Sequence, residues 1–102
     1  MQLDHIAINV SHIQTSIDWY ISNLSAEVKY SDETWALLQI ENLKLALTVS
    51  RQHPPHVAFT VENLEDLPGM TSTHRDGSVY SYIEDPDGNT VEYIYWPKNL
   101  GQ

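Results

Sequence analysis

Three side chains carry the potential chemistry of this chain: His5, His56 and Glu92. His5 opens the run His5-Ile6-Ala7-Ile8-Asn9-Val10, and His56 opens a second run of the same pattern, His56-Val57-Ala58-Phe59-Thr60-Val61. Read with the period of two that a strand imposes, each run puts His, Ala and a short polar residue on one face and three apolar side chains on the other. Glu92 takes the equivalent place in Thr90-Val91-Glu92-Tyr93-Ile94-Tyr95, on the side away from Val91, Tyr93 and Tyr95. The apolar faces must pack, whereas the histidine faces need not. Two imidazoles and a carboxylate are the ligand set of a divalent metal site. With no cysteine in the chain there is no thiolate ligand or nucleophile and no disulfide framework, so any metal is held by nitrogen and oxygen.

The elements that must position these residues follow from patterning. A six-residue pattern met twice in 102 residues implies a duplicated unit, in a chain long enough for one domain with a core but too short for two independent ones. The modules are expected at about 1–50 and 56–96, within a single domain spanning 1–102. After the first strand, Ser11 is a plausible N-cap. Ile13, Ile17, Tyr20 or Ile21, and Leu24 then recur at helical spacing, which predicts one amphipathic helix over about 12–23. Strands are expected over 26–31, 34–40 and 44–50, joined by turns at Asp32-Glu33 and Glu41-Asn42. The first half thus reads β-α-β-β-β. Arg51-Gln52-His53-Pro54-Pro55 is a linker, because its prolines cannot donate to a ladder.

The second half repeats the plan in shortened form. Glu62 to Leu67 allows one or two helical turns, and 70–77 is expected to be a loop with a short strand. Val79 to Glu84 and Thr90 to Tyr95 form a hairpin around the turn formers Asp85-Pro86-Asp87-Gly88-Asn89.

From Leu3-Asp4-His5-Ile6-Ala7 to Glu92-Tyr93, and most specifically in Tyr82-Ile83-Glu84-Asp85-Pro86-Asp87-Gly88-Asn89-Thr90-Val91-Glu92, the sequence resembles the vicinal oxygen chelate superfamily. That superfamily comprises glyoxalase I, bleomycin resistance proteins, fosfomycin-modifying enzymes and extradiol dioxygenases. The resemblance implies an α+β fold in which two βαβββ modules form a half-open mixed β-sheet barrel, with helices on the outer face and the second module shortened. It implies metal ligands at His5, Ala46, His56 and Glu92, of which Ala46 cannot coordinate. Three coordinating residues at the family's positions, each away from its strand's apolar side, favour one divalent ion (Fe, Mn, Ni or Zn) over the more ordinary packed histidine.

The same resemblance places Tyr80 and Tyr82 toward the site. Tyr82 is a candidate hydrogen-bond or proton donor to a developing oxyanion, and equally an aromatic filling the concave wall. His74, in Thr73-His74-Arg75-Asp76-Gly77, is a candidate acid/base group, although a loop histidine is more often merely exposed. Trp35, Gln39, Lys44 and Thr48 could line the cavity. His12 and His53 read as surface residues, and Trp19 as one that packs or contacts a partner chain.

Two functions remain open. One is a divalent-metal-dependent small-molecule enzyme of glyoxalase or dioxygenase type, binding vicinal oxygens of its substrate. The other is a metal-free drug-binding protein resembling bleomycin resistance proteins, its aromatic groove including Trp35, Tyr80 and Tyr82. Ala46 counts against glyoxalase I, and five scattered basic residues disfavour fosfomycin-type chemistry on a phosphonate.

A formal charge of −9, from 14 acidic and 5 basic residues, disfavours nucleic acid and anionic lipid and favours neutral or cationic ligands. No apolar run approaches a membrane span, and the first residues lack a signal-peptide pattern, so a cytoplasmic location is expected. A homodimer is expected too, because the second half's reduced helix should leave apolar surface uncovered. Sedimentation at micromolar concentration should then show a dimer; monomer alone would contradict it.

Overall fold

The computed structural model describes residues 1–49 and 53–97. The end of the strand expected over 44–50 and the Arg51-Gln52 part of the linker lie outside the described residues. The elements are β1 (Gln2–Val10), α1 (Ile13–Leu24), β2 (Glu27–Ser31), β3 (Trp35–Ile40), β4 (Leu43–Val49), β5 (His56–Val61), a 3₁₀ turn (Leu64–Asp66), β6 (Ser72–Thr73), β7 (Val79–Glu84) and β8 (Thr90–Tyr95). The strands form one mixed sheet in the order β2-β3-β4-β1-β5-β8-β7-β6. Its two ends are separate edge strands, so the sheet is not closed. By contacts the chain divides into residues 5–55 and a second unit made of Met1–Asp4 with the residues from His56 onward.

In the first unit, β1 runs parallel to β4, with Ile6 opposite Leu45 and Asn9 opposite Thr48, and β3 runs antiparallel to β4. Alternation sends Ile6, Ile8 and Val10 to one side, where they pack, partly buried, against the core. Ile13, Ile17, Ala26, Ala36, Leu38, Leu45 and Leu47 form the buried core there. The stripe of α1 supplies Ile13 and Ile17, spaced one turn apart, as its buried residues.

The helix begins one residue later than the serine at position 11 suggested. Ser16 N–H bonds the His12 carbonyl at 3.2 Å, which makes extended His12 the N-cap, and that residue makes no side-chain cap. At the other end Ser25 adopts a left-handed conformation (φ 55°), and its N–H and that of Ala26 return to the Ile21 and Tyr20 carbonyls.

In the second unit, β5 runs parallel to β8, and β8 antiparallel to β7, so β8 is flanked on both sides. Gln2 N–H donates to Thr60 Oγ1 at 3.3 Å and holds the start of β1 beside β5. The β7–β8 turn is built on Asp85. Its carboxylate accepts from the backbone N–H of Asp87 and Asn89 and from the Asn89 side chain, at 2.8 to 2.9 Å. Gly88 takes the positive φ of 84° that the turn requires.

The expectation that only the apolar strand faces need pack is reversed in this unit. His56, Ala58, Glu92 and Ile94 are buried, whereas Val57, Phe59, Val91, Tyr93 and Tyr95 are only half-buried. The physical reason is the connection after β5. It contains the three-residue 3₁₀ turn in place of a helix as long as α1, so little covers the outer face. No helix among the described residues is long and apolar enough to cross a membrane.

Leu47 is 0% exposed in the first unit's core, and Leu64 is 49% exposed. Leu47→Ala should cost about 2–5 kcal/mol of unfolding free energy, and Leu64→Ala about 0.5 kcal/mol or less, by urea denaturation. Equal losses would contradict this placement of the core.

Candidate metal centre

Glu92 is 1% exposed and sits on β8, opposite Ala58 of β5 and Tyr82 of β7. The alanine leaves room beside the carboxylate, and strand alternation puts Glu92 and Tyr82 on the same face of the sheet. Glu92 Oε1 lies 3.2 Å from His56 Nε2, and Oε2 lies 3.0 Å from His74 Nε2. An ionised carboxylate this deep is stable only when such partners replace water. His56, 8% exposed, is held by the parallel β5–β8 register that sets it opposite Thr90, two residues from Glu92.

His5 lies half-buried on β1. Metal–ligand bonds of about 2.0–2.2 Å put neighbouring donor atoms about 3–3.5 Å apart, so the 3.2 Å separation of His56 and Glu92 already suits two ligands of one ion. A cation between these two atoms would replace their direct contact. An imidazole nitrogen and a carboxylate oxygen at this separation are donors that suit a divalent metal.

Aromatic rings border the carboxylate. The Tyr82 ring centroid is 5.3 Å from that of His56 and 5.2 Å from that of Tyr80. Burial pushes the Tyr82 phenol well above its ordinary pKa of 10.0, and electrostatic interaction with Glu92, and less so with Tyr80, pushes it in the same direction. Tyr82 thus stays protonated and able to donate a hydrogen bond. His74 stacks on Tyr80, with centroids 3.8 Å apart and planes 9° from parallel. It lies just beyond β6, where its N–H bonds the Ser78 carbonyl at 2.8 Å. That bond continues the β6–β7 ladder, so His74 belongs to an ordered hairpin end rather than a free rim loop.

The remaining candidates are more dispersed. Ala46, at the resemblance's fourth ligand position, is buried between Ala7 and Leu37 and presents only a methyl group. Thr48 is buried, and its Oγ1 accepts from Asn9 Nδ2 at 2.9 Å. The same amide donates to the His53 carbonyl at 2.9 Å, so half-buried His53 is tied down rather than simply a surface residue. Gln39 turns along its own hairpin to donate to the Glu41 carbonyl, and Lys44 is exposed. Trp35 packs on Tyr30 with centroids 4.8 Å apart, its buried indole N–H lacking a hydrogen-bond partner. Exposed His12 is the helix cap, and Trp19, 55% exposed with its ring edge against Tyr20, stays outside the core. Sequence reasoning missed the Asn9 clamp and the His74–Glu92 pair. The first was signalled only by an asparagine in a strand, and the second needs the β6–β7 register.

Known proteins share this fold. No protein-family model matches the chain. The chain is 29% identical to the metallothiol transferase FosB of Staphylococcus saprophyticus, over 88% of this chain and 74% of that protein. It superposes with a TM-score of 0.73 on a glyoxalase/bleomycin resistance protein/dioxygenase superfamily member from Vibrio splendidus, at 16% identity, covering 93% of this chain and all of that one. Methylmalonyl-CoA epimerase from Mycobacterium tuberculosis gives 0.71 at 18% identity, covering 95% and 89%. The chain has the α+β fold of the vicinal oxygen chelate superfamily.

If Tyr82 is held protonated, replacing it by Phe should leave the absorbance increment from tyrosinate formation unchanged between pH 10 and 11 in the metal-free folded protein. A titration of wild type and Tyr82→Phe that differed by one tyrosine in that range would contradict the assignment.

Proposed function

We propose that the chain is a divalent-metal-dependent small-molecule enzyme of the vicinal oxygen chelate type, with the ion held by His5, His56 and Glu92. The observation that carries this reading is the Glu92 carboxylate, 1% exposed and within hydrogen-bonding distance of two imidazoles. The similarity to a metallothiol transferase, spanning most of both chains, supports a metal-dependent reaction.

When bound, the ion supplies a Lewis acid that polarises two neighbouring substrate oxygens. The chain's own residues do the rest. Buried His56 and Glu92 keep water away from their donor atoms and fix their direction. Tyr82, kept protonated by its surroundings, donates a hydrogen bond where negative charge develops on the substrate. The charge of −9 supports neutral or cationic substrates over anionic ones. The half-buried outer face of β5 and β8 supports association of two copies.

Metal analysis of protein purified without an affinity tag tests the reading. Wild type dialysed against Mn(II), Fe(II), Ni(II) or Zn(II) should retain about one ion per chain. Glu92→Ala should retain only traces. Equal metal in the two proteins would overturn the assignment. No metal in wild type, with tight binding of a cationic aromatic compound, would instead favour sequestration.

A further inference from the structure

Glu92 has two oxygens, and the structure treats them differently. Oε1 faces His56, whereas Oε2 faces His74 Nε2 at 3.0 Å. A carboxylate on a flexible side chain can present either oxygen, or both, to an ion. One whose outer oxygen is already engaged presents a single defined oxygen. We propose that His74 is a positioning residue: by donating from Nε2 to Glu92 Oε2 it fixes the carboxylate so that Oε1 is the metal-binding atom. This rests on the metal reading above and assigns His74 a task other than proton transfer to substrate.

The surroundings of His74 fit that task. Its ring lies flat on Tyr80 at 3.8 Å, which sets the plane in which Nε2 points. Its backbone is pinned twice, by its N–H to the Ser78 carbonyl at 2.8 Å and by Gly77 N–H to its own carbonyl at 2.9 Å. Gly77 supplies the φ of 91° that closes this turn. Asp76 completes it, accepting from the N–H and hydroxyl of Ser78, a residue 0% exposed, at 2.9 and 2.6 Å. Register does the last part. Ser72 pairs with Tyr80, so His74 falls on the same face as Tyr80, Tyr82 and Glu92. Partners that hold a metal ligand from behind typically change metal affinity by roughly 10–100-fold when removed.

The test compares wild type, His74→Leu and His74→Gln, because a Gln amide can donate from nearly the place of Nε2 and Leu cannot. Zn(II) affinity is read by competition with a chromogenic chelator, coordination by the visible spectrum of the Co(II)-loaded proteins, and packing by melting of the metal-free proteins. The expected result is a roughly 10–100-fold loss of affinity and an altered Co(II) spectrum in His74→Leu, with most of both restored in His74→Gln. Wild-type affinity in His74→Leu would overturn the positioning role while leaving the metal site standing. Equal weakening in Leu and Gln would overturn it too, showing that the ring's packing matters and its donor does not. Wild type that binds neither ion would overturn both the positioning role and the metal reading.

Discussion

The structure depends on one constraint: a carboxylate that is almost entirely cut off from water has to be compensated where it stands. Glu92 is 1% exposed, and both its oxygens are met by imidazole nitrogens. The desolvation cost of such a charge is several kcal/mol even in a polarisable interior, which the two imidazole contacts must offset. A divalent cation would offset more. The neighbours of Glu92 across the strands are Ala58 and Tyr82, and the His56 ring stands beside it.

Strand pairing puts this group together from distant parts of the sequence. β8 lies between β5 in parallel and β7 antiparallel, so a residue at its centre is covered from both sides. Parallel pairing requires a crossover, and in the second unit that crossover carries the 3₁₀ turn Leu64–Asp66 where the first carries α1. The consequence is a unit whose chemically active face is better buried than its apolar face, whereas in the first unit Ile13 and Ile17 of α1 join Leu38, Leu45 and Leu47 in a buried core. Ala46, in the first unit, is buried and presents only a methyl group.

Much of this was legible in the sequence, and the limits have physical causes. β7 and β8 match their expected bounds because the Asp85 to Asn89 turn fixes the register by its own hydrogen bonds. The helix was visible from Ile13, Ile17 and Tyr20, while its start was displaced because backbone geometry at His12, and no side-chain oxygen, sets the cap. The metal-ligand candidates were visible because His5, His56 and Glu92 share a parity. Burial of the faces was not, since alternation says which residues share a side and nothing about what covers it. The partnership of His74 with Glu92 was hidden as well. It depends on a two-residue strand and a tight turn that carry almost no periodic signal.

The central claim, that this carboxylate and two imidazoles bind one ion, is tested most directly by X-ray absorption spectroscopy of the Zn(II)-loaded wild-type protein. The account predicts two imidazole nitrogens and at least one oxygen at about 2.0–2.2 Å from a single class of zinc. A spectrum without imidazole scattering, or one fitted by oxygen ligands alone, would contradict it.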